Sequence, residues 1–235
     1  KKMKKGIVYS GLISHFYGAL VSIKRIRDLD VKLPIEFFTE SQLNLFPKNV
    51  LEEFNIKLKK IEIDYKCKFS NKLHSIINSD LDEILFVDSD VLFIDSPNVF
   101  FKDYKYKQFG NLFWRDIEPN YKGGCYKTDS GVFVLNKKNI YDEFNNGLDI
   151  TEQNYNTKYK GDKEVFRKVL NKIIHNDRIP DLIGFEDDNT FYGCSMLHYY
   201  LNKPLFIHST LMKFHFDINQ HNIWSHIAIV DDLKK

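Results

Sequence analysis

The 235-residue chain has no apolar run near the ~18 residues that a helical membrane span needs, and no apolar core of a secretory leader. Within these residues it reads as soluble. It opens on Lys1 rather than an initiator, so a trimmed upstream anchor is compatible with it. Its cysteines number three, Cys67, Cys125 and Cys194. They are odd in number, widely spaced and without a CxxC pair, which argues against a disulfide framework and against structural zinc. Asn-x-Ser/Thr sequons are absent. An excess of one charge is missing too. Thirty-four Lys+Arg stand against thirty-two Asp+Glu, a net +2 with part of it in the terminal lysines, so there is no electrostatic case for nucleic acid. No GxGxxG, GxxxxGK[ST] or HExxH occurs, so the dinucleotide, P-loop and zinc-protease readings lack their fingerprints.

Aromatics are what the chain has in plenty: twenty Phe, thirteen Tyr and two Trp, 15% of the residues. Such side chains suit strands and surfaces that stack on sugars or bases, and an AT-rich genome would enrich them as well. Apolar runs predict strands at Gly6–Ser10, Ile35–Phe38, Leu58–Ile63 and Ile84–Val87. Between them, helical spacing predicts helices at Ser14–Arg27, with Ser14 as a cap, at Val50–Phe54 and at Phe69–Asn78. The alternation argues for an α/β sheet with right-handed crossovers. Further on, strands are expected at Gln108–Trp114, Gly131–Leu135 and Leu205–Ile207, and a helix over about Lys163–Ile174. No repeat or linker divides the chain, and one domain over residues 1–235 is the expectation.

Ile84-Leu85-Phe86-Val87-Asp88-Ser89-Asp90 is the most pointed segment. Wholly apolar strands of this kind are buried on both faces of parallel sheets, and open α/β sheets bind ligands at the carboxyl ends of their strands. Two carboxylates at i and i+2 of extended chain reach one side, where hard divalent ions such as Mn2+ or Mg2+ take oxygen ligands and share substrate phosphates. An acidic turn satisfied by its own amides is the plain alternative. Tyr9, Ser10 and Gly11 follow the first strand, where a nucleotide enters such a sheet. Lys72 precedes the acidic strand and could touch ribose or phosphate.

Five segments occur in order: Glu83–Val91 (EILFVDSDV), Phe109–Asp116 (FGNLFWRD), Asp129–Lys137 (DSGVFVLNK), Gly161–Phe166 (GDKEVF) and Pro204–Lys213 (PLFIHSTLMK). Together they resemble the fungal Golgi-type alpha-mannosyltransferase family (glycosyltransferase family 71) and, more loosely, the glycogenin-like transferases. Departures exist: Asp129 stands where Glu is usual, Ser89 replaces Ala, and Ser-Thr-Leu follows His208. The resemblance implies a single GT-A-type α/β domain with a mixed, mostly parallel sheet flanked by helices. It implies a metal-dependent transfer of mannose from GDP-mannose, with retention, to a glycan or other hydroxyl acceptor. It makes His208 the third metal ligand beside Asp88 and Asp90, and puts Lys213 on the diphosphate. Ser89, Ser130 and Gly131 fall to the nucleotide sugar, Asp129 and Asp162 are candidate catalytic carboxylates, and Trp114 with Asp116 would face the acceptor.

Each assignment has a competitor. Asp162 and Glu164 could simply cap and charge a helix start, and Asp129-Ser130-Gly131 could be a turn. The other histidines, His198 and His215 included, read as structural. A UDP-hexose transferase, a haloacid-dehalogenase-like phosphatase and a sugar-binding module without turnover remain as alternatives. The family resemblance suggests the Golgi lumen; a cytosolic or virus-encoded enzyme fits the missing anchor and sequons equally.

Overall fold

A computed structural model describes residues 3–61, 71–120, 125–139, 166, 170, 172–187 and 190–209. Strand β1 (Lys5–Ser10) leads into helix α1 (Ile13–Asp28), followed by β2 (Ile35–Thr39), α2 (Lys48–Glu53) and β3 (Ile56–Lys60). Then come α3 (Asn71–Ile77), β4 (Glu83–Val87), β5 (Val91–Phe93), α4 (Tyr104–Phe109), β6 (Asn111–Asn120) and β7 (Cys125–Asn136). The described chain closes with β8 (Asp181–Asp187), β9 (Thr190–Tyr200) and β10 (Lys203–His208). Among the described residues no helix is long and apolar enough to cross a membrane.

Six strands form one sheet in the order β3-β2-β1-β4-β7-β6. β1 runs parallel to β2 and β4, and β2 parallel to β3, while β7 is antiparallel to both β4 and β6. β4 thus sits between β1 and β7, and all five of its residues are buried. That is why Ile84–Val87 is continuously apolar rather than alternating. Alternate side chains feed two cores. Ile7, Tyr9, Leu85, Val87, Trp114, Val132 and Val134 meet Phe16, Ala19, Ile23 and Ile26 of α1 together with Phe93 and Phe206. On the opposite face Val8, Ile84, Phe86, Phe113 and Phe133 meet Leu73 and Ile76 of α3, with Phe166 and Leu170. Phe133 lies between Phe86 and Phe113, its ring centroid 5.0 Å and 4.7 Å from theirs. Burying one such ring contributes about 1.5–3 kcal/mol.

A second, antiparallel sheet runs β5-β10-β9-β8 and packs β5 and β10 onto the α1 face. Because only the three residues Asp88, Ser89 and Asp90 separate β4 from β5, the acidic segment is the link by which the chain passes from one sheet to the other.

The early elements lie close to their expected positions, and the later ones differ. Ser14 does not cap α1. The helix starts at Ile13 with Leu12 at its N-cap, and its free amides are met by Ser41 Oγ on Ile13 N (3.0 Å) and His15 Nδ1 on Leu12 N (3.2 Å). Gln108 and Phe109 belong to α4, whose cap is Asp103, and Gly110 at φ 76° turns the chain into β6. Most of the helix expected over Lys163–Ile174 lies outside the described residues. Its last residues are not helical. Ile174 O accepts Phe113 N, Asn176 N donates to Phe113 O, and His175 forms a parallel bridge to Phe113. Asn111 enforces this arrangement, its side chain holding Lys172 O (3.0 Å) and Ile174 N (2.9 Å).

Candidate active site

β4 delivers Asp88 and Asp90 to the carboxyl edge of the first sheet, β7 brings Asp129 to the same edge, and β10 brings His208 from the second sheet. The two aspartates converge through a turn, not through extended chain: Val91 N donates to Asp88 O (3.3 Å). That turn is pinned on both sides, by Asp88 N to Gly131 O (2.8 Å) and by Ser209 N to Asp90 O (2.9 Å). As a result one carboxylate oxygen of Asp88, one of Asp90 and one nitrogen of His208 lie within 4.8 Å of one another. Asp90 and His208 are buried and Asp88 is half-buried.

His208 is gripped at both nitrogens. Nε2 faces Asp90 Oδ1 at 3.4 Å, and Nδ1 is 2.9 Å from Asp129 Oδ2. Burial opposes a charge on this ring, yet Asp129 and Asp90 hold its pKa well above the ordinary histidine value. Asp129 is fully buried. Burial alone would raise its carboxyl, but the charge of His208 and contacts from both histidines more than offset this and keep it well below the usual range. Its Oδ1 accepts Gly131 N at 2.9 Å. His198 Nε2 lies 3.1 Å from the Oδ2 that His208 also uses, close but off the line of a well-aligned hydrogen bond.

Lys72 reaches in from α3, with Nζ 2.8 Å from Asp88 Oδ2 and 3.0 Å from Ser130 O. By the β1–β4 register, in which Val8 is level with Phe86, Ser10 stands level with Asp88 on this edge. Gly11 N closes onto Phe38 O at 3.0 Å. Ser89 is half-buried in the acidic turn, and Ser130 is buried behind it.

Several expected site residues occupy other places. Tyr9 is 1% exposed, its hydroxyl paired with Ser22 Oγ at 2.9 Å and its pKa raised by burial, so its ring is unavailable for stacking on a base. Trp114 is buried among Phe100 and Phe206 and donates Nε1–H to Tyr199 O (3.2 Å), which removes it from any acceptor platform. Asp116, two residues on, is buried at 4% exposure and so is not presented at the surface to an acceptor. Gly131 is small for a different reason from close approach by a sugar: a Cβ there would lie 2.4 Å from His208 Cε1. Asp129, fully buried and accepting from Gly131 N and His208 Nδ1, is not presented to a substrate. Asp162 and Lys213 lie outside the described residues. His198 joins the site without a sequence signal, since neither its spacing nor its neighbours distinguish it from a core histidine.

The arrangement is a cluster of carboxylates, two of them buried, beside one lysine, with an imidazole aimed into it. Three oxygen and nitrogen donors at this spacing suit a first-row divalent cation.

A family model described as "Mannosyltransferase putative" matches residues 4–128, more than half of the chain. The Candida albicans (strain SC5314) protein "Putative alpha-1,3-mannosyltransferase MNN14" is 29% identical over 171 residues, covering 63% of this chain and 24% of that protein. The chain thus spans about a quarter of the length of that relative. Among solved structures, the glycosyltransferase GlyE of Streptococcus pneumoniae TIGR4 superposes with a TM-score of 0.57 at 16% identity, over 75% of this chain and 46% of GlyE. The galactosyltransferase LgtC, solved with donor and acceptor sugar analogues, superposes with a TM-score of 0.54 at 16% identity, over 72% of both chains. These likenesses establish the fold as that of GT-A glycosyltransferases. With that fold and the family match over residues 4–128, the chain belongs to the mannosyltransferase family.

Proposed function

We propose that this chain is the catalytic GT-A unit of a glycosyltransferase that moves a hexose, mannose by family, from a nucleotide-diphosphate sugar to a hydroxyl acceptor on a glycan. The observation that carries the reading is the convergence of Asp88, Asp90 and His208 at the edge where β4 ends, beside Ser10 and Gly11 at the end of β1. In this reading Asp88, Asp90 and His208 hold a divalent cation, Mn2+ or Mg2+. When bound, the cation offsets the negative charge that builds on the diphosphate leaving group.

The protein's own residues do the rest. Lys72 balances Asp88 and stands ready for the phosphates. Ser10 and Gly11 form the floor under the nucleotide, and the hydroxyl of Ser89 turns with the acidic loop. The name of the Candida relative supports an alpha-linked mannosyl product; GDP-mannose is the donor that the family resemblance implies, and a UDP-hexose is the alternative that the same site would accept.

A panel of sugar nucleotides assayed for hydrolysis and transfer, with and without Mn2+, tests this. The wild-type protein is expected to consume one donor in a metal-dependent manner, and Asp90→Asn to lower that rate about a hundredfold or more. Hydrolysis of phosphomonoesters alone, or sugar-nucleotide binding without turnover by the whole protein, would overturn it.

A further inference from the structure

Asp129 lies directly behind the imidazole that faces the acidic turn, and its surroundings are built to keep it there. Its carboxylate accepts Gly131 N on Oδ1 and His208 Nδ1 on Oδ2, each at 2.9 Å. His198 approaches the same Oδ2 from the second sheet at 3.1 Å. His198 itself is fully buried, its ring stacked on Phe206 at 4.5 Å and 17°, and its Nδ1 has no hydrogen-bond partner among the described residues. Gly131 leaves the volume that the His208 ring fills. An ionised carboxylate only accepts, so the nitrogens of His208 and His198 that face it must carry hydrogen. With Nδ1–H committed to Asp129, Nε2 is the nitrogen left on the side of Asp90, and a cation between them would take its lone pair in place of a proton. Carboxylate–histidine–metal arrangements fix the ring and raise the basicity of the ligand in this way.

We propose that Asp129 is a positioning residue that seats and polarises His208 as a metal ligand, with His198 steadying Asp129 from behind, and that Asp129-Ser130-Gly131 forms this seat rather than a donor-sugar subsite. The inference rests on the reading of Asp88, Asp90 and His208 as the cation site.

The test measures Mn2+ affinity directly, by electron paramagnetic resonance of free Mn2+ and by calorimetry, on the whole chain. Co2+ absorption serves as a probe of ligand geometry. Asp129→Asn is expected to weaken Mn2+ binding about tenfold to a hundredfold and to change the Co2+ bands. Its turnover should return toward wild type as Mn2+ is raised. His198→Phe, which keeps the ring shape but loses the donor, should weaken binding in the same direction, and His198→Gln should restore part of it. Wild-type Mn2+ affinity in both Asp129→Asn and His198→Phe would overturn the proposal. So would a loss of turnover in Asp129→Asn that saturating Mn2+ does not relieve. Asp90→Asn separates the two levels: if it binds Mn2+ as the wild type does, the cation site itself is misplaced and the inference falls with it. If Asp90→Asn loses Mn2+ while Asp129→Asn and His198→Phe keep it, only the inference fails. Should Asp129→Asn not fold, His198→Phe still decides.

Discussion

Gly131 illustrates how one missing methyl group can be part of a site. Its Cα lies under the His208 ring so closely that a Cβ would approach Nδ1 to 2.6 Å and Nε2 to 2.8 Å. Gly131→Ala is therefore expected to swing the imidazole away and lower Mn2+ affinity at least about tenfold. Overpacking should cost about 1–3 kcal/mol, read from urea unfolding. Asp80 makes a different residue-level case. Hydrogen bonds from Lys57 and Lys59 lower its pKa from 3.8 to about 2. A carboxyl depressed by folding contributes stability that is present above its ordinary pKa and is lost as the pH falls through the folded value. Its side chain is 51% exposed, so solvent screens the pair and the contribution stays below about 1 kcal/mol. Asp80→Asn should thus be slightly less stable at pH 7, and the difference should vanish as acid unfolding is followed from pH 4 toward pH 2.

At the level of elements, β6 and β7 explain why a promising aromatic is structural. Phe113 and Trp114 are successive strand residues, so one faces α3 and the other α1, and the register shift between them sets Trp114 opposite Asp129 instead of Val132. Trp114 then fills the space between the sheets beside Phe100 and Phe206. Trp114→Phe should lower stability by about 1–3 kcal/mol through lost volume and the lost bond to Tyr199 O. The acceptor KM should be unchanged, and a rise in that KM with stability intact would restore the tryptophan to the acceptor. The same pair of strands carries Asp129 and its hold on His208, so the β6–β7 ribbon serves the site through its inner face.

Over the molecule as a whole, the candidate cation site is where two sheets meet: Asp88 and Asp90 follow β4 of one, and His208 ends β10 of the other. A cation bound there would tie the sheets together and would bind the folded state alone. Mn2+ at a hundred times its dissociation constant should then stabilise the protein by about 2.7 kcal/mol, seen as a rise in Tm that a chelator reverses. In His208→Ala the rise should largely disappear. An equal rise in both proteins would mean that Mn2+ acts elsewhere.

What the sequence determined by itself was local and periodic. The apolar run into Asp88-Ser89-Asp90 marked a strand end buried on both faces, and the alternation through residue 87 marked the parallel half of the sheet, because burial on two faces and helical spacing leave direct traces in residue order. The five ordered segments carry the family resemblance because each is a short contiguous motif, legible in residue order without knowledge of the fold. Tertiary structure alone decided which groups meet across long separations. His208 faces Asp90 because β10 pairs with β5, and Asp129 lies between two histidines of the second sheet. Tyr9 and Trp114 were drawn inward because aromatic rings stabilise a core more by burial than an exposed surface does. No spacing in the chain encodes those choices, since they depend on which strand lies next to which.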